Sequence, residues 1–283
     1  MKLSICMITY NHTDYLKQAI DGVLMQKTNF DYELVIANDN SPDNSDEIIQ
    51  DYIKTHPEAY KIKYLHNTVN LGMMPNFVKA LTNCSGSYIA LCEGDDYWTD
   101  ANKLQKQVDF LDNNLDYSIC FHHAAIDTKG VITEDAITLK SNQTTTIEDL
   151  AKGNYIHTCS VVFRNKLFNQ FPSYFAKAPV GDYFLHMLNA RFGKIYCIEE
   201  IMANYRVHET SYWSSKQQEE RTAIWIDFLE NMKENFTAEI QILLTNQIEA
   251  VKRSAIVVIK KPSITKKIKN RIRKFFNIEK KIK

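Results

Sequence analysis

Short apolar runs alternate with helix-like patterns over the first 125 residues, and this alternation limits the available folds more than any other feature. The predicted strands lie at residues 3–9, 33–37, 61–66 and 87–92. Between them, apolar residues recur at helical spacing, as they do from residue 15 to 24. Strands that alternate with helices predict a parallel sheet with right-handed crossovers. We therefore expect an α/β fold with a Rossmann-like, mostly parallel sheet flanked by helices.

The second half of the chain is less regular. Strands are predicted at residues 117–125, 159–164, 194–197 and 201–206, with one helix at 182–191. From about residue 215 the pattern is helical throughout, and Pro262 separates a last helix that is rich in basic residues. We predict one α/β domain over residues 1–212, divided near residue 125, and a helical C-terminal extension over 213–283.

Polar side chains follow each of the four N-terminal strands. The segments concerned are Thr9-Tyr10-Asn11, Asn38-Asp39, His66-Asn67 and Glu93-Gly94-Asp95-Asp96. In open α/β sheets, ligands bind outside the carboxyl ends of the strands. Hydroxyls, amides and carboxylates are therefore expected along one edge of the sheet. Each segment alone is ordinary loop chemistry, but together they indicate a binding site.

The last of these segments places three carboxylates, those of Glu93, Asp95 and Asp96, within four residues. Carboxylates at this density repel one another unless a cation lies among them. Oxygen ligands of this kind suit Mg²⁺ or Mn²⁺, which completes its coordination with water and substrate phosphates. The alternative is a solvated acidic turn that caps a helix predicted at residues 102–111. The acidic cluster by itself leaves both interpretations open.

Four motifs, taken in order, resemble the family 2 glycosyltransferases with the GT-A fold. They are Thr9-Tyr10-Asn11, Asp39-Asn40-Ser41, Asn70-Leu71-Gly72 and Glu93-Gly94-Asp95-Asp96, and their order and spacing match over residues 3–210. Members of that family use a nucleotide-diphosphate sugar, a divalent metal at an Asp-x-Asp motif, and a single displacement that inverts the anomeric carbon. The resemblance implies a catalytic domain over 1–212, with a nucleotide-binding half (1–125) and an acceptor-binding half (126–212).

The resemblance also implies roles for individual residues. Thr9 and Tyr10 match residues of the nucleotide base pocket, and Asp39 matches the acid that binds the base or ribose. Asp95 occupies the place of the direct metal ligand, and Glu93 stands where an Asp is usual. The other residues that we assign to donor binding in these segments are Asn11, Asn67 and Gly94. Asp96 is either a group that supports the metal ligands or a helix cap.

The candidate catalytic base lies further along the chain. Gly181-Asp182 resembles an acidic pair of the family, with Gly181 in place of the first acid and Asp182 retaining the second. An inverting transfer needs a carboxylate that takes the proton of the acceptor hydroxyl, and we assign this role to Asp182. Asp also caps helices well, so N-capping of the predicted helix is the alternative for Asp182, and the two roles are compatible.

Residues 205–211 resemble the segment that closes over the donor diphosphate in this family. Arg206 and His208 share a face if this segment is extended. By this resemblance the guanidinium neutralises phosphate and a neutral imidazole completes the metal coordination. His122 and His123 are adjacent on a predicted strand and point to opposite faces, so they cannot chelate one ion. We treat that pair as structural or as part of an acceptor pocket.

Charge is unevenly distributed along the chain. Residues 252–283 carry 13 Lys and Arg and a single acid, so the first 251 residues carry a formal charge of −12. Apolar residues recur at spacings of three and four in this basic segment, which predicts an amphipathic helix. Such a helix binds an anionic bilayer, with each cation contributing about 1 kcal/mol near the surface. The alternatives are packing on the acidic body or a solvated end.

Cysteine spacing and hydropathy bear on the cellular location. The six cysteines show no CxxC motif or zinc-type spacing, so we expect buried free thiols in a reducing compartment. No apolar run reaches the length of a signal peptide or of a membrane span. We therefore expect a cytoplasmic protein, either free or docked on the inner face of the plasma membrane through residues 260–283.

Two other functions remain open at this point. A sugar-phosphate nucleotidyltransferase normally carries a Gly-rich basic loop after its first strand, whereas residues 9–12 contain neither Gly nor Lys. A catalytically inactive nucleotide-sugar-binding module is the other alternative. We expect an inverting glycosyltransferase that uses a UDP-sugar and Mn²⁺ or Mg²⁺, and no nucleic-acid partner. Its expected acceptor is a glycan or a lipid-linked saccharide in bacterial surface polysaccharide synthesis.

Overall fold

The computed structural model describes residues 1–135, 143–211, 213 and 215–260. The strands of the described chain are β1 Leu3–Thr9, β2 Tyr32–Asn38, β3 Ile62–His66, β4 Tyr88–Leu91, β5 Tyr97–Trp98, β6 Tyr117–Thr128, β7 Val131–Glu134, β8 Thr144–Thr145, β9 Val162–Arg164 and β10 Lys194–Val207. The α-helices are α1 Thr13–Leu24, α2 Ser45–Thr55, α3 Met73–Thr82, α4 Lys103–Asn113, α5 Ile147–Leu150, α6 Gly181–Ala190, α7 Gln218–Met232 and α8 Ala238–Lys260.

The strands form one mostly parallel sheet, as the sequence predicts. Its order is β3-β2-β1-β4-β9-β6-β10-β5, with β7 paired to β6 and β8 paired to β10. Pairing is parallel among β1 to β4 and between β6 and β10. Strand β9 runs antiparallel to both of its neighbours, β4 and β6. The six long parallel strands therefore point the same way, and their carboxyl ends meet at one edge.

Both faces of the sheet are covered. Along β1, the side chains of Leu3, Ile5 and Met7 enter one apolar cluster, and Cys6 enters the other. One cluster includes side chains of α1, α2 and α4, and the other includes side chains of α3, α6, α7 and α8. Burial on both faces explains why the parallel strands are continuously apolar. All six cysteines are buried free thiols, which confirms the predicted burial and the absence of disulfides among them.

Several element boundaries differ from the sequence-based expectation. Residues 194–197 and 201–206 belong to one strand, β10, whose register shifts between Ile198 and Ile201 and again before Ala203. The irregularity includes Glu199 and Glu200, which interrupt the apolar pattern and made one bulged strand resemble two. The strand predicted at 159–164 is a short 3₁₀ helix, Thr158–Ser160, followed by β9. Strand β5 was not anticipated.

The C-terminal part is helical, as predicted. Helices α7 and α8 pack against α6, where Phe184 contacts Phe228 and Phe236 within the apolar core. Within the described residues, no helix combines the length and apolar composition that crossing a membrane requires. The basic amphipathic helix predicted after Pro262 lies outside the described residues.

Candidate functional site

A cavity of about 740 Å³ opens at the carboxyl edge of the parallel strands. The loops after β1, β2 and β4, together with the start of α6, contribute polar side chains to its wall. Those predicted from the sequence are Thr9, Tyr10, Asp39, Glu93, Asp95 and Asp182. The structure therefore brings together, in one cavity, residues that are up to 173 positions apart in the chain.

Asp39 is held rigidly on this wall. Its carboxylate is 2% exposed, and Oδ1 accepts hydrogen bonds from Asn67 Nδ2 at 2.7 Å and from the Leu71 N–H at 2.8 Å. Its Oδ2 accepts from the N–H of Gly72 at 2.9 Å. Gly72 has a φ of +89°, a conformation that favours glycine. Oδ2 retains acceptor capacity for a ligand N–H or O–H group.

Asn67 supports Asp39 and does not line the cavity. Besides its bond to Asp39, Nδ2 donates to Asn76 Oδ1 at 2.9 Å, and Oδ1 accepts from Lys79 Nζ at 2.6 Å. Both ends of the amide are therefore occupied by protein groups. The sequence placed Asn67 at the correct edge of the sheet, but its contacts favour positioning of Asp39 over direct donor binding.

The acidic turn after β4 is packed against β1 and is not a solvated cap. Gly94 donates its N–H to the Ile8 carbonyl at 3.0 Å, and an added Cβ at Gly94 would lie 2.8 Å from Thr9 Oγ1. Asp96 is 1% exposed, and its Oδ1 accepts from the Arg206 N–H at 2.8 Å. Helix α4 begins at Lys103, well beyond the turn. The capping alternatives for the turn and for Asp96 are therefore wrong.

Burial and mutual repulsion set the charge of this turn. Burial raises the pKa of Glu93 well above its usual range, and the carboxylates of Asp95, Asp96 and Asp182 raise it further. Burial and Asp95 likewise raise the pKa of Asp96. Burial would also raise the pKa of Asp95, but two imidazoles, those of His12 and His208, outweigh it and lower the pKa. Asp95 is thus the carboxylate of the turn whose ionised form is favoured.

His208 and His12 approach Asp95 from two elements. His208 Nε2 lies 3.0 Å from Asp95 Oδ2, and its Nδ1 lies 2.9 Å from Thr210 Oγ1. His12 Nε2 lies 3.7 Å from the same Asp95 oxygen. The structure brings His208 to the acidic turn as the sequence analysis expected, whereas His12 was not assigned to the site. Its position directly after Thr9-Tyr10-Asn11 was the signal that could have identified it.

Arg206 lies behind the acidic turn. Its guanidinium donates to the Asp95 carbonyl at 2.5 Å and to Gln18 Oε1 at 2.6 Å. It also stacks between the rings of Tyr15 and Tyr97, at 4.7 Å from each ring centre. Arg206 is 8% exposed. These contacts favour a role in supporting the turn over the phosphate contact predicted from the sequence.

Asn11 lines a second depression, which it shares with His208 among the predicted residues. It has a φ of +60°, and its N–H donates to Ser41 Oγ at 3.1 Å. Its side chain lines a polar cavity of about 670 Å³ beside His208 and Thr210. Thr210 lines both cavities, so Asn11 lies next to the main cavity without lining it.

Asp182 lies in the first turn of α6 and faces the main cavity. Its Oδ2 accepts a hydrogen bond from Thr158 Oγ1 at 3.0 Å. The N-cap position is Val180, and no side chain caps this helix, so the N-capping alternative for Asp182 is wrong. A Cβ at Gly181 would lie 2.5 Å from Met74 Sδ. Met74 therefore occupies the space that a side chain at position 181 would need.

The site has the chemistry of a partial cation site. In the described chain, the buried polar atoms without a hydrogen-bond partner include Asp95 Oδ1, Asp96 Oδ2, Thr9 Oγ1 and His12 Nδ1. These atoms surround one turn and are mostly oxygens, which suits a hard divalent cation. Among the described residues, no group of three or more His, Cys, Asp or Glu side chains is arranged to hold a metal ion. A cation bound here would need ligands from substrate or water.

His122 and His123 do not join the acidic turn. His122 is buried, its Nδ1 lies 2.8 Å from the His123 carbonyl oxygen, and burial lowers its pKa well below the usual range. Neither histidine lines the main cavity. Their adjacent positions on β6 agree with the structural alternative for the pair.

The far wall of the main cavity is aromatic and comes partly from the C-terminal extension. Trp213, which precedes α7, and Trp225, within α7, both line it with Asp182. No site residue was predicted in the extension from the sequence. Trp225 shares the helical spacing of the buried residues Phe228, Leu229 and Met232, so its sequence pattern is that of a core residue.

The sequence model of glycosyl transferase family 2 matches residues 4–171. An uncharacterized protein of Mycobacterium tuberculosis is 37% identical over 223 residues, which cover 77% of this chain and 62% of that protein. An uncharacterized glycosyltransferase of Nostoc sp. is 30% identical over 218 residues, which cover 74% of this chain and 65% of that protein. The chain thus spans less than two thirds of the length of these relatives.

Two solved structures share the architecture. The S. aureus protein TarS, residues 1–349, in complex with UDP-GlcNAc superimposes with a TM-score of 0.66 at 16% identity, covering 88% of this chain and 72% of that chain. The mannosyltransferase PcManGT from Pyrobaculum calidifontis, in complex with GDP-Man and Mn²⁺, gives 0.66 at 12% identity, covering 98% and 80%. The expected GT-A fold is confirmed.

Proposed function

We propose, from the premise that this chain belongs to glycosyl transferase family 2, that it transfers a sugar from a nucleotide-diphosphate donor to an acceptor hydroxyl with inversion. The observation that carries the proposal is one cavity lined by Asp39, Asp95 and Asp182. These residues correspond to the three tasks of such a transfer, which are binding the nucleoside, holding the diphosphate and activating the acceptor.

The donor occupies the part of the cavity beside β1 and β2. Asp39 Oδ2 has acceptor capacity for a base N–H or a ribose hydroxyl, and the half-exposed Tyr10 ring offers a surface for the base. Uracil presents one such N–H, which supports UDP as the nucleotide. The structural relatives support this class of donor, since TarS was solved with UDP-GlcNAc and PcManGT with GDP-Man.

Mn²⁺ or Mg²⁺ is the proposed cofactor. Asp95 would hold it, and His208 and Glu93 are the proposed further ligands, with His12 beside them. These side chains do not form a three-ligand site in the described structure, so the donor diphosphate and water would complete the coordination. The orphaned Asp95 Oδ1 and the crowding of buried carboxylates support this assignment. When bound, the cation stabilises the negative charge that develops on the departing diphosphate. PcManGT was solved with Mn²⁺, which supports a divalent ion of this kind.

Asp182 is the proposed general base. Its carboxylate borders the cavity, and the hydroxyl of Thr158 fixes one oxygen while the other can accept the proton of an acceptor hydroxyl. As that oxygen attacks the anomeric carbon, the bond to the diphosphate breaks on the opposite face of the sugar, so the configuration inverts. The fixed rotamer of Asp182 reduces the cost of orienting the base.

We further propose the setting in which this transfer takes place. A glycan or lipid-linked saccharide in bacterial surface polysaccharide synthesis is the proposed acceptor, and residues 1–212 form the proposed catalytic domain. The basic segment 260–283 would dock the protein on the anionic inner face of the plasma membrane. Deletion of this segment should move the protein from the membrane fraction to the soluble fraction, and unchanged partitioning would contradict the docking.

The activity is tested by measuring nucleoside diphosphate release from a panel of UDP-, dTDP- and GDP-sugars with Mn²⁺, Mg²⁺ or EDTA. We expect release from a UDP-sugar that requires a divalent ion and is stimulated by saccharide acceptors. Formation of a nucleotide sugar from a nucleoside triphosphate and a sugar phosphate would instead support the nucleotidyltransferase alternative. Donor binding without turnover on any acceptor would support the inactive binding module.

Two variants separate the roles of the carboxylates. Asp182→Asn should keep UDP affinity within about twofold while turnover falls by roughly 10²–10⁴, the usual contribution of a general base. Asp95→Asn should instead weaken the Mn²⁺-dependent part of UDP binding, measured by calorimetry with and without EDTA. Wild-type turnover in Asp182→Asn, or unchanged metal dependence in Asp95→Asn, would remove that residue from its proposed role.

A further inference from the structure

The aromatic wall of the main cavity is built from two tryptophans outside the segments that bind the donor. Trp213 and Trp225 both border the cavity and are partly exposed. Their rings meet edge to face, with centres 6.0 Å apart and planes at 64°. Such a pair presents two surfaces at an angle, and the two surfaces form an apolar corner.

This corner has a fixed position relative to the proposed base. Trp225 stacks on Tyr183 with ring centres 5.3 Å apart and planes at 14°. Tyr183 directly follows Asp182 in α6, and its hydroxyl donates to the Leu150 carbonyl at 2.7 Å. Tyr183 therefore holds α6 to Leu150 through its hydroxyl and contacts Trp225 through its ring. Aromatic surface and carboxylate are held on one rigid support.

Polar groups line the cavity together with the tryptophans. Asn154 and Thr158 border it with Asp182. Asn154 uses Oδ1 to accept the Ile156 N–H at 3.1 Å, which leaves its two amide N–H groups available as donors. His157 also lines the cavity, and its Nε2 lies 2.9 Å from Asp135 Oδ2. The lining therefore combines an apolar corner with hydrogen-bonding groups.

We infer that Trp213 and Trp225 form the acceptor subsite and that the acceptor presents a pyranose ring to it. This inference rests on the proposed function. The C–H bonds on one face of a pyranose match the electron-rich faces of the indoles, and its hydroxyls reach Asn154 and Asp182. An alkyl or polyprenyl chain would leave these polar groups desolvated without partners, which is unfavourable. The C-terminal extension therefore completes the site that accepts the sugar.

Calorimetry on the full chain loaded with UDP and Mn²⁺ tests the subsite. The probes are matched methyl and octyl glycosides of glucose, galactose, mannose and N-acetylglucosamine. We expect at least one methyl glycoside to bind, and its octyl counterpart to bind within about twofold, because the ring carries the recognition. Trp213→Ala should weaken this binding by about tenfold, equivalent to about 1.4 kcal/mol, and leave the Kd of UDP unchanged.

Two further variants keep this test decisive. Phe192→Ala removes an exposed ring (48% exposed) that does not line the cavity, and it should change neither glycoside nor UDP binding. Trp225→Phe retains stacking on Tyr183 but narrows the apolar surface, and it should weaken glycoside binding by about threefold. Trp225→Phe provides the evidence if Trp213→Ala does not fold.

Three results would overturn the subsite while leaving the proposed function intact. These are UDP binding without binding of any methyl glycoside, binding of octyl glycosides alone, and an unchanged glycoside Kd in both tryptophan variants. Binding of octyl glycosides alone would assign the corner to a lipid chain. Failure of the wild-type protein to bind any nucleotide diphosphate would contradict the proposed function and, with it, the subsite.

Discussion

At the scale of single residues, the site depends on a close approach between two loops at Gly94. A Cβ built on Gly94 would lie 2.8 Å from Thr9 Oγ1 and 3.0 Å from His12 Nδ1. Both contacts are shorter than real Cβ atoms tolerate without movement. The absence of a side chain at this position is what lets the acidic turn pack on the loop after β1.

Gly94→Ala should therefore destabilise the protein by about 1–3 kcal/mol, the usual cost of overpacking, and weaken donor binding at the same time. Urea unfolding and UDP calorimetry with Mn²⁺ measure the two effects. Gly153→Ala is the matched control, since the nearest atom to its added Cβ would be Gln247 Nε2 at 4.0 Å. Equal stability and UDP affinity in the two variants would show that the approach is not required.

Residue identities were predicted better than residue contacts. Asp39, Asp95 and Asp182, which the structure places on one cavity, were singled out because carboxylates after apolar strands, or at the start of a helix, stand out in the sequence and match a family pattern. Asn67 and Arg206 were placed at the correct edge, but with partners that the sequence does not reveal. Those partners, such as Lys79 for Asn67 and Gln18 for Arg206, come from other elements and depend on packing.

At the scale of elements, the N-terminal alternation of strands and helices was predictable because each buried strand is apolar on both faces. The second half was harder for physical reasons. Strand β10 bulges around residues 198–203, which interrupts its alternation, and β9 is only three residues long, too short for an alternating pattern to be recognised. Helix α6 is buried on nearly all sides, so its sequence lacks a polar face that would mark its orientation.

Tyr183 connects α6 to α5 and to the C-terminal helix α8 through its hydroxyl. Tyr183→Phe removes the hydroxyl that donates to the Leu150 carbonyl and lies 3.4 Å from Gln247 Oε1. The free energy of unfolding should fall by about 1–3 kcal/mol, because the buried Leu150 carbonyl loses its partner. Urea unfolding measures this loss, and turnover should fall with it because α6 carries Asp182.

Tyr174→Phe is the control for this change. Its ring also packs against the core beside Phe184, but its hydroxyl makes no hydrogen bond to another described residue. We expect its free energy of unfolding to stay within about 0.5 kcal/mol of wild type, as for substitutions outside such networks. If the free energy of unfolding fell by a similar amount in both variants, the hydroxyl of Tyr183 would not be what stabilises the position of α6.

At the scale of the whole molecule, one buried lysine side chain makes the free energy of unfolding depend on pH. Lys103 is fully buried beneath the sheet, where its Nζ donates to Gln107 Oε1 at 2.8 Å and lies 4.1 Å from the centre of the Trp98 ring. Burial lowers its pKa from 10.5 to about 7, although the neighbouring thiols of Cys92, Cys159 and Cys120 partly oppose this shift. The folded protein therefore favours the neutral amine, whereas the unfolded chain retains the proton until a much higher pH.

The contribution of Lys103 to stability should consequently rise with pH between about 7 and 10.5, because at this side chain the unfolded state binds the extra proton throughout that interval. One proton contributes a slope of at most about 1.4 kcal/mol per pH unit. Urea unfolding from pH 7 to 10 measures the slope in the wild type and in Lys103→Met, which keeps a long apolar side chain but cannot titrate. Other groups titrate in both proteins, so the difference between the two slopes isolates Lys103, and identical slopes would show that this lysine does not link folding to pH.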